Sequence, residues 1–167
     1  MGFSAFIEEI NDAAVIAEKI RSLSKETRLI AGGYYASAMP KETLRQYPVF
    51  DMAVVGEGEQ TMAEIASVTA PDQISGLVWR GPDGKTIHVN PPRTVYPSFD
   101  ELPAPAWDLY DLGRYNYMVP VEPSRTRPYR CIFCYQATAE KNRYKDPEKI
   151  VDEVEQAIRR FRARRIS

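Results

Sequence analysis

The chain has 167 residues and sets 22 Lys and Arg against 23 Asp and Glu, so its net charge is −1 and offers no electrostatic footprint for nucleic acid or an anionic membrane. Apolar residues make up 44% and charged residues 27%, an ordinary globular composition, and no apolar run approaches the roughly 20 residues of a membrane-spanning helix. The segment Met1–Glu9 has no basic region, which argues against a secretory signal and makes the cytoplasm the expected compartment.

The first part alternates strands and helices. Gly2–Phe6 reads as a strand end, and Asp12 as an N-cap before Ala13, Ile16, Ala17, Ile20 and Leu23 at helical spacing. Leu29-Ile30-Ala31 is a short buried strand stopped by Gly32-Gly33, and Pro40 suits the first turn of a short helix through Leu44. Met52–Val55 is a second buried strand. Gly56-Glu57-Gly58-Glu59 follows it and opens a helix bearing Met62, Ile65 and Ala66. Short, continuously apolar strands between helices predict an α/β fold with a parallel sheet covered on both faces. Next, Ile74–Arg80 and Thr86–Val89 flank Gly81-Pro82-Asp83-Gly84 and read as a β-hairpin. Asn90–Trp107 holds Pro91, Pro92, Pro97, Pro103 and Pro105, which excludes a regular helix or central strand and predicts a linker. Tyr117–Val121 is a candidate strand, and Pro147 opens a last helix with an apolar stripe of Ile150, Val151, Val154, Ile158 and Phe161. A three-stranded sheet leaves an edge open and the last helix leaves its stripe bare. Further elements, or a partner chain, are expected to cover them.

Three motifs carry candidate chemistry. Cys131 and Cys134 are the only cysteines. In a reducing compartment a pair two residues apart reads as metal-binding or redox-active before it reads as a disulfide. Thiolates suit iron–sulfur clusters and zinc. Zinc needs two more ligands, which the lone His88 cannot supply, and a pair of buried structural thiols is the plain alternative. Gly32-Gly33 and Gly56-Glu57-Gly58 stand at carboxyl ends of predicted parallel strands, where ligands of α/β folds bind and where glycine lets backbone come close. Tight turns alone explain these glycines too. A phosphate cradle at Gly56–Gly58 is disfavoured, because Glu57 and Glu59 already place negative charge at the helix start. The run Arg159-Arg160-Phe161-Arg162-Ala163-Arg164-Arg165 fits the solvated face and last turn of a helix better than an RNA contact.

The segment Pro123–Cys134 resembles the cluster-binding loop of the radical SAM family, which reads Ser-Arg-Gly-Cys-Pro-x-x-Cys-x-aromatic-Cys. Ser124, Arg125, Pro128, Cys131, Phe133 and Cys134 fit it, and Asp146–Val154 is similar to the first barrel helix. The resemblance implies a [4Fe–4S] cluster held by three cysteines, S-adenosylmethionine on the fourth iron, a 5′-deoxyadenosyl radical, and Phe133 near the adenine. Arg127 stands where the first cysteine belongs and Thr126 replaces the preceding glycine. Arginine stays protonated and offers no lone pair to a metal. A labile cluster or none is therefore expected.

The N-terminal half resembles the cobalamin-binding domain that precedes many radical SAM barrels, at Ser4-Ala5-Phe6, Gly32-Gly33 and Tyr47–Glu59; the hairpin and Leu102–Asp108 also fit. The implied fold is a partial Rossmann-like domain over residues 1–72, a hairpin over 73–90, a linker over 91–116, and the start of a (β/α) barrel over 117–167. The implied cobalamin-binding residues are Ser4, Gly32, Gly33, Gly56, Glu57 and Gly58; the implied metal ligands are Cys131 and Cys134. His88 matches no axial-ligand motif. A whole barrel needs roughly 200 residues, so the chain is expected to be a truncated or degenerate member, inactive alone, with a non-catalytic cobalamin- or partner-binding module as the alternative.

Overall fold

The computed structural model describes residues 1–125, 132 and 142–167. Two compact units are present, one of Met1–Tyr96 and one that begins at Pro97 and contains the C-terminal helix.

In the first unit, β1 (Gly2–Ser4), α1 (Ile10–Leu23), β2 (Ile30–Gly32), α2 (Gly33–Ala38), α3 (Pro40–Gln46), β3 (Met52–Val54) and α4 (Glu59–Ala66) precede the hairpin β4 (Leu77–Arg80) and β5 (Ile87–Val89). One sheet runs in the order β1-β2-β3-β4-β5. The first three strands are parallel; β4 joins β3, and β5 joins β4, antiparallel. The hairpin therefore closes the edge of β3 that the sequence left open. Val78 lies opposite Ala53 in that pairing.

Strand alternation sorts the core into two faces. Ala31, Ala53 and Val78 pack on one side with Ile10, Ala14 and Ala17 of α1, Ala36 of α2 and Leu44 of α3. Ile30, Met52, Val54 and Leu77 pack on the other with Ile65 of α4. Both faces are covered, which is why the strands read as unbroken apolar runs.

The buried edge of α1 is Ile10, Ala14 and Ala17, while Ile16 and Leu23 are exposed. The helix is thus turned relative to the stripe read from its larger residues, because the alanines allow close approach to the sheet. Asp12 lies inside the first turn and does not cap; the N-cap is Glu9, without a side-chain cap bond. The segment after Gly32-Gly33, left unassigned by the sequence, is α2.

The second unit begins with short 3-10 turns at Phe99–Glu101, Trp107–Leu109 and Leu112–Tyr115. Then come β6 (Met118–Val119), β7 (Ser124–Arg125), β8 (Arg143–Tyr144), α5 (Pro147–Phe161) and β9 (Arg165–Ile166). β6 and β9 are parallel with α5 between them in sequence, a β/α/β connection. Its core is Leu112, Val119 and Ala157, flanked by Trp107, Tyr117 and Phe161. Ala157 is the buried point of α5, whereas Val151 and Ile158 of the predicted stripe are exposed. Asp146 caps α5, accepting from Glu148 N at 2.8 Å, and Pro147 occupies the first turn as the sequence implied.

Candidate cofactor-binding site at the strand ends

The parallel register sets Ser4 opposite Gly32, so the carboxyl ends of β1 and β2 finish level. Ala5 N donates to Gly32 O (3.2 Å) and Tyr35 N to Ala5 O (3.2 Å), which locks the two strand exits together. Gly33 makes this possible. Its φ is +82°, and a Cβ there would lie 2.7 Å from Ala5 N, 2.8 Å from Ser4 Oγ and 3.0 Å from Ala5 O. No side chain fits without moving backbone.

The third exit is tied in by a residue the sequence did not single out. Ser37 of α2 is buried, and its Oγ accepts from Gly56 N at 3.0 Å. Gly58 precedes α4 with an ordinary 3.6 Å approach to Val54, and Glu57 beside it is buried. Ser4, Gly32 and Gly33 thus form one group and Gly56, bridged by Ser37, joins it. Glu57 and Gly58 follow at the packed start of α4, where Gly58 is the N-cap.

An aromatic pair follows the same exits. Phe6 and Tyr34 stack with ring centroids 5.1 Å apart and planes 13° apart, and both rings are about half exposed. Phe6 lies two residues beyond the end of β1 and Tyr34 two beyond the end of β2, and the sequence reading did not single out Tyr34. A backbone-lined, glycine-bearing edge with an exposed flat apolar platform suits a flat ligand better than a phosphate.

Cys131, Phe133, Cys134 and Arg127 lie outside the described residues. Among the described residues no group of three or more His, Cys, Asp and Glu is placed to hold a metal ion. His88 is exposed on β5 and stacks on Trp79 at 4.3 Å. No helix of the described residues is long and apolar enough to cross a membrane. The C-terminal arginines are held on the surface: Arg159 pairs with Glu155 at 3.1 Å and Arg164 stands over the Tyr117 ring.

Residues 1–66 match the family model described as the B12 binding domain. This span contains all three strand exits. The chain is also similar to an uncharacterized methyltransferase of Pyrococcus horikoshii, 28% identical over 164 residues, covering 92% of this chain and 35% of that protein. It is 29% identical over 171 residues to the anaerobic magnesium-protoporphyrin IX monomethyl ester cyclase of Rubrivivax gelatinosus, covering 90% and 30%. Similarity to a B12 binding domain over residues 1–66, and to these methyltransferase and cyclase proteins over most of the chain, agrees with the resemblance to radical SAM proteins that carry an N-terminal cobalamin-binding domain. Another relative is the cytidylyl-2-hydroxyethylphosphonate methyltransferase of Streptomyces wedmorensis, 27% identical over 161 residues, covering 74% and 30%. The chain spans about a third of the length of these curated relatives.

Proposed function

We propose that this chain binds cobalamin at the exits of β1, β2 and β3 and contributes the cluster segment of a cobalamin-dependent radical SAM enzyme. The reaction class is methyl transfer or a related radical conversion, as the names of the methyltransferase and cyclase relatives suggest. The observation that carries the reading is the coincidence of the B12-binding match over residues 1–66 with the locked glycine edge around Gly33. In this reading Ser4, Gly32 and Gly33 let the ligand approach backbone, and Gly56 through Gly58 shape the third exit. Phe6 and Tyr34 exclude water from one side of the ligand. Bound cobalamin supplies a cobalt centre for group transfer.

In the same reading, Cys131 and Cys134 are thiolate ligands to a [4Fe–4S] cluster and Phe133 lies near the adenine of S-adenosylmethionine. Arg127 leaves this segment one thiolate short of the family's three, so the chain alone holds a labile cluster and does not turn over S-adenosylmethionine. A second reading, corrinoid binding without radical chemistry, is favoured by the two-cysteine inventory.

Titration with hydroxocobalamin, followed by its visible spectrum, tests the first part. Saturable binding at one per chain, weakened in Phe6→Ala/Tyr34→Ala, is expected. No binding would overturn it. Anaerobic loading with iron and sulfide tests the second: Arg127→Cys is expected to raise cluster retention, and Cys131→Ser to abolish it. Equal retention in Arg127→Cys and the parent chain would show that Arg127 is not at a ligand position.

A further inference from the structure

The linker read from the sequence begins at residue 91, yet its first residues belong to the first unit, which runs to Tyr96. Asn90 leaves β5 with its side chain bonded three ways. Its Nδ2 donates to Pro71 O at 2.5 Å and to Ile74 O at 2.7 Å, and its Oδ1 accepts from Trp79 Nε1 at 3.1 Å. Pro91 and Pro92 have no N–H, so strand pairing cannot run on through them. Pro91 O still accepts, from Gly76 N at 2.8 Å. Arg93 then fastens the chain again. Its Nη2 donates to Glu64 Oε2 at 2.5 Å, to Thr61 Oγ1 at 3.3 Å and to Ser75 O at 3.2 Å. Residues 90–93 are therefore a strap fixed at both ends.

The strap reaches the third strand exit through two backbone bonds. Gly76 gives its N–H to Pro91 O, and Gly76 O accepts from Val55 N at 2.9 Å. Val55 directly follows β3, and its neighbour Gly56 is the residue held by Ser37. Gly76 has φ +74°, and a Cβ there would lie 3.2 Å from Val55 O and 3.7 Å from both Cβ and N of Arg93. Glycine lets the exit and the strap close on one residue from two sides. Arg93 also holds α4, which starts three residues after Gly56. The turn from Val55 to Glu59 thus runs between two elements that one side chain ties together, α4 through Thr61 and Glu64 and the corner at Gly76 through Ser75 O.

This grip is buried. The Arg93 side chain is 8% exposed and Thr61 is fully buried. Taking an ion pair out of water gains little over an apolar pair of the same volume, so cover for α4 alone does not need a guanidinium. The guanidinium adds direction: its planar fork fixes acceptors on two separate segments at once.

We infer that the strap of residues 90–93 positions the third strand exit for the ligand, with Arg93 as its positioning residue, so that the binding unit extends beyond the residues 1–66 that match the B12-binding model. The inference rests on the corrinoid reading above. Arg93 acts through Gly76 and α4 and touches no ligand itself.

The test uses the full chain, hydroxocobalamin titration by visible spectrum, and amide exchange at Val55 and Gly76. Arg93→Gln is expected to speed exchange at both amides about tenfold and to weaken hydroxocobalamin binding about tenfold, with the amide of Ala5 between the first two exits unchanged. By linkage, bound hydroxocobalamin is expected to slow exchange at Gly76 in the parent chain and not in Arg93→Gln. Arg21→Gln is the control. It breaks the other ion pair of this unit, Arg21 Nη2 to Asp51 Oδ2 at 2.7 Å, which lies by the starts of β2 and β3 rather than their exits. It is expected to lower stability and leave the affinity within about twofold. If Arg93→Gln fails to fold, Glu64→Gln, which removes the carboxylate partner, is measured in its place with the same expectations. Unchanged exchange at Val55 and Gly76 in the folded variant would overturn the inference. So would faster exchange with unaltered affinity, which marks a strap without influence on the site. An equal loss of affinity in Arg21→Gln would also overturn it, as general destabilisation. A parent chain that binds no hydroxocobalamin overturns the corrinoid reading and this inference with it, whereas a parent that binds and a variant that binds equally well overturn this inference alone.

Discussion

Gly33→Ala isolates the feature on which the strand-end site depends. The substitution carries two penalties. The left-handed backbone at φ +82° disfavours any residue with a Cβ by about 1–2 kcal/mol. The new carbon would also sit 2.7 Å from Ala5 N and 3.0 Å from Ala5 O, and backbone atoms cannot swing aside as a side-chain end does. Relief requires the β1 exit to shift, at a further cost of about 1–3 kcal/mol. The expected loss is about 2–5 kcal/mol.

Two controls separate these contributions. Gly84→Ala carries the same backbone penalty at φ +69° with no atom within 4 Å, so a loss of about 1–2 kcal/mol is expected. Gly32 has extended backbone at φ −149° and its Cβ would make only a 3.6 Å approach to Phe3 O, so Gly32→Ala should lose less than about 1 kcal/mol. Urea unfolding followed by Trp79 fluorescence in a Trp107→Phe background reports on the first unit alone, which avoids merging two transitions. Equal losses for Gly33→Ala and Gly84→Ala would refute the steric part. Equal losses for Gly33→Ala and Gly32→Ala would refute the reasoning altogether.

Asp51→Ala removes the acceptor for both Arg21 Nη2 (2.7 Å) and Leu29 N (2.7 Å), and a loss of about 2–3 kcal/mol in the same urea assay is expected. Ser37→Ala deletes the bond from Gly56 N at 3.0 Å; about 1 kcal/mol of stability should go, with corrinoid affinity falling as the third exit loosens. In the hairpin turn, hydrogen bonds from the Thr86 hydroxyl and the Lys85 and Thr86 amides lower the Asp83 carboxyl from 3.8 to about 2. A depressed folded-state pKa stabilises above the unfolded value and the gain fades as pH falls from about 4 through about 2. Nuclear magnetic resonance titration of Asp83 should show this, and in Asp83→Asn the pH dependence from this group should vanish.

Local chemistry was legible in the sequence. The buried strands at Ile30 and Met52, the Gly56–Gly58 turn, the hairpin and the Asp146-Pro147 helix start are each written in adjacent residues, because apolar runs, caps and breakers act over a few positions. The glycine at position 33 was legible as a candidate, but the reason it must be glycine was not: the clash is with Ala5, distant in sequence. Ser37 carried no signal at all, since a serine bonding a remote amide looks like any helical serine. The phase of α1 was misjudged because alanines, not the larger Ile16 and Leu23, face the sheet.

By itself, then, the sequence determined an α/β chain with glycine-marked strand exits and a cysteine pair flanked by arginines. Only the tertiary structure decided that the hairpin extends the same sheet, that Phe6 and Tyr34 stack beside the locked exits, and that Arg93 grips Thr61 and Glu64 of α4. Each of these joins residues that are far apart along the chain. Propensity and periodicity describe a residue's near neighbours, whereas strand pairing, ring stacking and buried ion pairs form wherever the folded chain lowers its free energy by bringing distant surfaces together.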